Sequence, residues 1–185
     1  MTTVPPSLFG RRLLLRAGQR ADAAALHRIR CQPSVKQWWG VAHSKEHEIA
    51  AELRGESDEV LFVIEVDGEV AGSIQYSEEN EPDYRQAGMD IYLAEAFQGR
   101  GLGAEAIAVL AGYLIDERGH HRLTIDPAVD NAGAIASYER VGFRRVGVMR
   151  CYERAPDGSW RDALLLDLLA DELVRSPERN AGQSR

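Results

Sequence analysis

The stretch Gln98-Gly99-Arg100-Gly101-Leu102-Gly103 decides the fold of this chain. It lies between an apolar, strand-like run at 88–93 and an alanine-rich, helix-like run at 104–116. Three glycines at alternate positions allow the backbone to turn tightly and to present its N–H groups to a ligand. Because a helix begins directly after the glycines, the positive end of its dipole adds to this loop. The segment therefore predicts a binding site for a pyrophosphate group.

Length and composition indicate one globular domain. The chain has 185 residues, of which 44% are hydrophobic and 28% charged, which is ordinary for a domain with its own core. We expect the domain to occupy residues 11–175, with disordered tails at 1–10 and 176–185. No apolar run reaches the roughly 20 residues that span a bilayer, and the N-terminus lacks the layout of a secretory signal, so no membrane partner is expected. Cys31 and Cys151 are too few and too distant for a disulfide framework, which favours free thiols and a cytoplasmic location.

The charge of the chain bears on its partners. The net charge of −7 argues against a nucleic-acid partner, because such proteins usually carry a basic face. The acidic residues are unevenly distributed, and between residues 78 and 95 six of them stand against one arginine. This run has two interpretations, a solvated loop or an acidic lip that attracts a cationic substrate.

The order of elements predicts an α/β (α+β) fold with a mixed, mostly antiparallel central sheet and helices on both faces. A hairpin through Asp67-Gly68 joins two early strands, and from residue 88 onward strands alternate with helices. Strands are expected at 12–16, 60–66, 70–77, 88–93, 122–126, 143–152 and 160–169. Helices are expected at 21–31, 45–54 (with Ser44 as N-cap), 104–117 and 131–141.

The glycine loop also fits a second ligand class. Gly99-x-Gly101-x-x-Ala104 satisfies a dinucleotide-binding fingerprint, and Asp126 stands at the end of the next expected strand. A dinucleotide domain normally begins with this unit, whereas here about half of the chain precedes it. The residues after Asp126 are too few for a second nucleotide-binding half and a substrate domain, so this interpretation is the weaker one.

Two motifs together resemble a known family. Gln98-x-x-Gly101-x-Gly103 resembles the Gln/Arg-x-x-Gly-x-Gly/Ala signature of the GNAT superfamily of N-acetyltransferases, which bind the pyrophosphate of acetyl-CoA there. A second block is similar to the family's Asn…Ala…Tyr-Glu-Lys-x-Gly-Phe block and consists of Asp130-Asn131, Ala134, Tyr138-Glu139-Arg140 and Val141-Gly142-Phe143. The resemblance implies the GNAT fold, acetyl-CoA as co-substrate, no metal, and direct acetyl transfer within a ternary complex.

The resemblance also implies where acetyl-CoA binds. In the family, a backbone N–H of the splayed strand before the loop stabilises the developing oxyanion, and this places the role around residues 91–93. Asn131 is expected to cap its helix and, by resemblance, to touch the pantetheine arm. The implied cofactor-binding residues are Ile91, Tyr92, Leu93, Gln98, Gly99, Arg100, Gly101, Leu102, Gly103, Ala104 and Asn131.

Acetyl transfer to an amine also requires groups that handle protons. A primary amine with a pKa near about 10.4 is protonated at neutral pH, so a carboxylate, or a water held by one, must accept its proton. Asp90, on the strand before the loop, is the candidate base, and the alternative is a polar residue on an outward strand face. Tyr138 occupies the family's general-acid position, where the alternative is a packing role. Transfer from a phenol at about 10 to a thiolate at about 8.5 is uphill by roughly 2 kcal/mol, so Tyr138 is expected to act mainly by hydrogen-bonding the sulfur.

Trp38-Trp39-Gly40 gives the best indication of the acceptor. Adjacent tryptophans in a polar loop belong either to the core or to the wall of a pocket that receives a sugar ring or an amine. The Trp-Trp-Gly sequence, an Asp ahead of the loop and Asp126-Pro127 resemble the aminoglycoside 6′-N-acetyltransferases, antibiotic-resistance enzymes. The implied partner is a cationic small-molecule amine, with the 6′-amine of aminoglycosides first. The substrate-binding residues so implied are Trp38, Trp39, Glu78, Glu79 and Asp126.

Other acceptors and a non-enzymatic role stay open at this point. Siderophore-type acyltransferases and ribosomal-protein N-terminal acetyltransferases share the Trp-Trp feature, and Trp160-Arg161-Asp162-Ala163 resembles the latter. An acetyl-CoA sensor without catalysis is the alternative outside enzymes. The protein is expected to be a monomer or a homodimer, and His120-His121 is expected to lie in an exposed connection.

Overall fold

The computed structural model describes residues 5–39, 45–54 and 56–175, and its strands form one sheet in the order β1-β2-β3-β4-β5-β6-β8-β7. The strands are β1 (Leu8–Phe9), β2 (Leu14–Ala17), β3 (Val60–Val66), β4 (Glu69–Glu79), β5 (Gln86–Leu93), β6 (Arg122–Ile125), β7 (Arg144–Arg154) and β8 (Trp160–Leu169). The α-helices are α1 (Ala23–Arg30), α2 (Pro33–Lys36), α3 (Glu46–Glu52), α4 (Leu102–Asp116) and α5 (Ala132–Val141).

The sheet is antiparallel except at one junction. β5 and β6 run parallel and pair only through Ala87 with Leu123 and Gly88 with Thr124. β5 continues to Leu93, whereas β6 ends at Ile125, so the two strands separate beyond Gly88. The prediction of a mixed, mostly antiparallel sheet is confirmed. The separation of β5 from β6 opens the middle of the sheet.

Buried side chains form one cluster on each face of the sheet. One contains Ala106, Leu110 and Leu114 of α4 and Ile135 of α5, and it packs on one face. The other contains Leu26 of α1 and Ile49 of α3 and packs on the opposite face. Side chains alternate along a strand, so Met89 and Leu93 of β5 face the first cluster while Tyr92 faces the second. The same alternation directs Asp90 to the face that Tyr92 occupies.

Most expected elements are present, and the differences have local causes. The strand at 60–66, the hairpin and the strand at 160–169 agree, with Asp67 and Gly68 at φ of +51° and +82°, as a tight hairpin requires. The expected tail at 1–10 instead contributes β1, which pairs with β2, and α2 was not expected at all. β1 has two residues and α2 has four, and elements this short show no recognisable hydrophobic periodicity in the sequence. Ser44 lies outside the described residues. No helix among the described residues is long and apolar enough to cross a membrane.

Candidate active site

A cleft of about 790 Å³ opens where β5 and β6 separate. Its walls come from the segment after α2, from β5, from the glycine loop and the start of α5, and from the ends of β6 and β7. Of the lining residues that the structure describes, five are acidic and one, Arg140, is basic. The cleft therefore combines backbone turns at one end with carboxylates at the other.

The glycine loop adopts the tight turn that its sequence predicts. Gly99 and Gly101 have φ of +70° and +75°, a left-handed conformation that favours glycine. Gly101 is the N-cap of α4, whose first N–H groups have no partner within the helix. Arg12 links the loop to α4. Its Nη1 donates to the Arg100 carbonyl at 2.9 Å, and its Nε donates to the Glu105 carboxylate at 2.7 Å.

The loop leaves room for a ligand on its cleft side. Gly99, Gly101 and Gly103 all line the cleft. A Cβ at Gly103 would meet only the Leu93 Cδ1, at an ordinary 3.6 Å, and a Cβ at Gly99 would meet nothing within 4 Å. The protein itself would therefore have room for a side chain at position 103. Free helix N–H groups beside this open space suit a pyrophosphate group.

Most of the residues expected to bind the cofactor line the cleft. They are Ile91, Tyr92, Leu93, Gln98, Gly99, Gly101, Gly103 and Asn131. The Gln98 Nε2 donates to the Leu93 carbonyl at 2.8 Å and so joins the end of β5 to the loop. The Asn131 side chain accepts from the Ala134 N–H at 3.2 Å, the cap that the sequence predicts.

Three of the expected cofactor residues lie elsewhere. Leu102 is buried in the core, and Ala104 packs against it. The Arg100 guanidinium lies over the Phe97 ring, 5.6 Å from its centroid. These three residues support the loop, and their side chains do not line the cleft.

Asp90 lies on the floor of the cleft, on β5 directly opposite Gln75 of β4. Its side chain is open to solvent through the mouth of the cleft, although protein atoms surround it on the other sides. Burial among these atoms raises the pKa of Asp90 to about 7, and the carboxylates of Asp126, Glu59 and Glu153 add to the rise. A carboxylate with a pKa near 7 is matched to accepting protons at neutral pH.

Carboxylates that share the floor of the cleft surround Asp90. Burial raises the pKa of Asp126, and the Tyr152 Oη opposes that rise by donating to its Oδ2 at 2.8 Å. Glu59 accepts from the Nε2 of the buried Gln75 at 2.7 Å. A negative charge on Asp90 or Asp126 is therefore unfavourable in this place, and a cation bound nearby would stabilise it.

Tyr138 lies on α5 and lines the cleft although its side chain is buried. Burial raises the pKa of Tyr138 above its usual value, and the charges of Asp90 and Asp126 raise it further. The phenol therefore stays protonated at neutral pH. Its hydroxyl can donate a hydrogen bond, but giving up the proton is even less favourable than for an ordinary tyrosine.

Trp38 and Trp39 both line the cleft, in the segment that follows α2. The Trp39 ring packs edge-on against Tyr92 with centroids 4.8 Å apart, and Arg30 lies 5.1 Å from each ring. Trp39 therefore packs against the core and also lines the cleft. The sequence left open whether the tryptophans belong to the core or to a pocket wall, and Trp39 belongs to both. The guanidinium carbon of Arg161 lies 5.7 Å from the centroid of the Trp38 ring.

Glu78 and Glu79, expected to bind the substrate, do not line the cleft, which corrects their place in the site. Arg118 donates to both carboxylate oxygens of Glu78, at 3.0 and 2.8 Å, and the His120 Nε2 lies 2.7 Å away. These partners lower the pKa of Glu78, with the Arg118 hydrogen bond as the largest cause. Glu79 is exposed and accepts from the Glu81 N–H. His120, expected to be exposed, is buried.

Sequence reasoning missed several residues of the cleft. They are Glu59, Gln75, Tyr152 and Glu153. Glu59 immediately precedes β3, and Glu153 follows a bulge in β7 at Cys151, where φ is +50°. No motif marks these positions, and only the pairing of distant strands brings them together. Cys31 and Cys151 are free and exposed, and no cluster of metal-ligating side chains occurs among the described residues.

The curated relatives include acetyltransferases named for spermidine and for aminoglycosides. The chain is 27% identical over 177 residues to spermidine N(1)-acetyltransferase of Escherichia coli strain K12, and the match covers 92% of each chain. It is 29% identical over 163 residues to aminoglycoside N(6′)-acetyltransferase type 1 of Klebsiella pneumoniae, covering 78% of each.

Solved structures and a family model agree on the fold. Mycobacterium smegmatis RimJ, solved in complex with a CoA-disulfide, superposes with a TM-score of 0.84 at 28% identity, covering 93% of this chain and 91% of that one. The family model described as an acetyltransferase (GNAT) domain matches residues 12–144. The match spans both the glycine loop and the block around Tyr138. Because it covers more than half of the sequence, the chain belongs to the GNAT family of acetyltransferases.

Proposed function

We propose that the protein transfers an acetyl group from acetyl-CoA to a primary amine of a cationic small molecule, with the 6′-amine of aminoglycosides as the first candidate. The observation that carries this proposal is the pair Asp90 and Asp126, which line the same cleft as the glycine loop and have raised pKa values, with Glu59 and Glu153 adding to the rise at Asp90. A cationic acceptor relieves the repulsion among these groups when it binds.

Acetyl-CoA, when bound, supplies the activated acetyl group. The N–H groups at the start of α4, presented by Gly99, Gly101 and Gly103, suit its pyrophosphate. Beyond Gly88 the edge of β5 is released from pairing with β6, and residues 90–93 line the cleft. An N–H on this edge can donate to a carbonyl oxygen that gains negative charge.

Asp90 is the general base in this proposal. An acceptor amine enters as an ammonium ion and needs to lose a proton before it can attack a carbonyl carbon. Asp90 takes that proton, directly or through a water, and its raised pKa makes it a stronger base than an exposed aspartate.

Tyr138 assists by donating a hydrogen bond from its protonated phenol to the departing sulfur. Its raised pKa keeps the donor neutral and argues against complete proton transfer from the phenol. The sulfur then takes its proton from solvent.

Substrate panels test the proposal by measuring thiol release from acetyl-CoA. Kanamycin- or tobramycin-like compounds with a free 6′-amine are expected to be turned over, and 6′-hydroxyl analogues much less. Spermidine tests a linear polyamine, and an N-terminal peptide tests the protein acceptor. Turnover of the peptide alone would show that the acceptor is a protein N-terminus and not a small cationic amine. Stoichiometric binding of acetyl-CoA without thiol release for any amine would indicate a sensor.

The cofactor end is tested separately by Gly103→Val. Because a side chain at 103 meets little protein, the fold should persist, whereas the ligand space beside the helix N-terminus is filled. Acetyl-CoA binding, measured by calorimetry, should weaken by about tenfold or more, about 1.4 kcal/mol. Gly112→Ala, farther along α4, is the control and should bind normally. Unchanged binding in both variants would make the loop a simple turn.

A further inference from the structure

Arg161, on β8, makes three hydrogen bonds that join distant parts of the cleft. Its Nε donates to the Glu153 Oε1 at 2.8 Å. Its Nη1 and Nη2 donate to the backbone carbonyls of Gln37 and Trp38 at 2.7 and 2.6 Å. The guanidinium also lies beside the Trp38 ring. The planar guanidinium therefore binds the backbone at Gln37 and Trp38 and the carboxylate of Glu153 at the same time.

The segment before Trp38 needs this support. Helix α2 has four residues, too few to be stable on its own. The N–H groups of Gln37, Trp38 and Trp39 continue its turn by donating to carbonyls of Pro33 and Val35. The Gln37 and Trp38 carbonyls, at the end of this turn, each accept a hydrogen bond from the Arg161 guanidinium.

The other end of the contact is Glu153. It follows the bulge in β7, a strand at the edge of the sheet, and it lines the cleft floor. The Arg161 side chain is only 17% exposed and that of Glu153 is 31% exposed, so water replaces this pair poorly. The position of the carboxylate thus depends on Arg161.

We propose that Arg161 is a positioning residue that determines acceptor specificity by fixing Trp38 relative to Glu153 at the acceptor end of the cleft. This inference rests on the proposed amine acetylation for its kinetic consequence. Arg161 lies outside the cleft lining, so it acts through Trp38 and Glu153 and leaves the glycine loop untouched.

Kinetics of Arg161→Gln and Arg161→Lys, with the best amine of the panel, test the role. Arg161→Gln should raise the acceptor KM by roughly tenfold to a hundredfold, with the acetyl-CoA KM within about twofold, because misplacement by about an ångström has effects of this size. Arg161→Lys keeps the charge but loses the planar fork, so it should fall between. Arg145→Gln, on β7 but paired with Glu139 outside the cleft, is the matched control and should leave both KM values unchanged. Equal rises in both KM values for Arg161→Gln would overturn the proposal.

A spectroscopic measurement separates this inference from the proposed function. The chain has three tryptophans, so Trp39→Phe with Trp160→Phe leaves Trp38 as the only one. In that background Arg161→Gln should shift the Trp38 emission to longer wavelength, because the ring loses its fixed contact. An unshifted emission overturns the positioning role whether or not any amine is acetylated. A shift in a protein that acetylates no amine supports the positioning role of Arg161 and refutes the proposed function.

Discussion

Two acidic regions of the molecule look alike in the sequence and differ in the structure. At the end of β4, Glu78 lies against Arg118 and the buried His120, and these partners lower its pKa. On the cleft floor, Asp90 faces other carboxylates, and its pKa rises to about 7. The difference teaches that a negative charge indicates a binding site only where the fold leaves that charge without compensation.

Loss of the base should have the largest effect and would test the comparison most directly. Asp90→Asn keeps the shape but cannot accept a proton, so kcat should fall by about a hundredfold or more, while the Kd for acetyl-CoA stays unchanged. Steady-state kinetics and calorimetry measure the two quantities. Glu78→Gln is the matched control and should retain kcat within about twofold. Normal turnover in Asp90→Asn at neutral pH would remove the assignment.

Charge removal beside Asp90 should weaken acceptor binding less severely. Asp126→Asn and Glu59→Gln should each raise the acceptor KM by about tenfold, because each removes one attraction in a partly buried site. The wild-type KM should also rise with ionic strength, and this salt dependence should become shallower in both variants. Identical salt dependence in wild type and variants would show that these carboxylates do not bind the acceptor cation.

The pH profile reports on the same group. Only deprotonated Asp90 accepts a proton, so kcat/KM should rise as pH increases through about 7 and then level off. Because Asp90 and Asp126 interact, the midpoint belongs to the pair rather than to one residue. Asp90→Asn should abolish this arm of the profile. An arm with a midpoint near 4 would place the base in an ordinary environment.

Stability should respond in opposite directions in the two regions. The folded-state pKa of Asp90 is raised, so its charge destabilises the fold increasingly as pH rises from 4 to 7. Because solvent reaches this side chain and screens part of the effect, Asp90→Asn should raise the Tm at pH 8 by only about 4 °C. The folded-state pKa of Glu78 is lowered, so its contribution is present above the unfolded pKa and is lost in acid. Glu78→Gln should therefore lower the unfolding free energy by about 1 kcal/mol at pH 8. Thermal and denaturant melts measure both, and equal shifts in one direction would contradict the distinction.

The sequence predicted the parts of the site that come from consecutive residues. The turn at Gly101, the cap at Asn131 and the placement of Asp90 next to the loop all follow from local chemistry, namely backbone conformation, helix capping and strand alternation. The structure brings Asp90, Asp126 and Tyr138 to one cleft, as expected from their neighbouring elements.

The rest depended on pairings between distant segments. Glu59 reaches the floor because β3 lies beside β4, and Glu153 because β7 returns along β8 past a bulge. Conversely, Glu78 looked suited to a cation because its partner Arg118 lies 40 residues away in the chain. Charge pairing across such separations is not encoded in any local pattern.

The hydrogen bond from Arg161 to the Trp38 carbonyl spans 123 residues. During synthesis from the N-terminus, the segment with Trp38 leaves the ribosome before the glycine loop and α4, and β8 leaves after both. A nascent chain therefore contains the glycine loop before it contains Arg161, which binds the Trp38 carbonyl. Because β8 lies between β6 and β7 and supplies Leu164, Leu166 and Leu168 to the core, the cleft is complete only after this strand has been made.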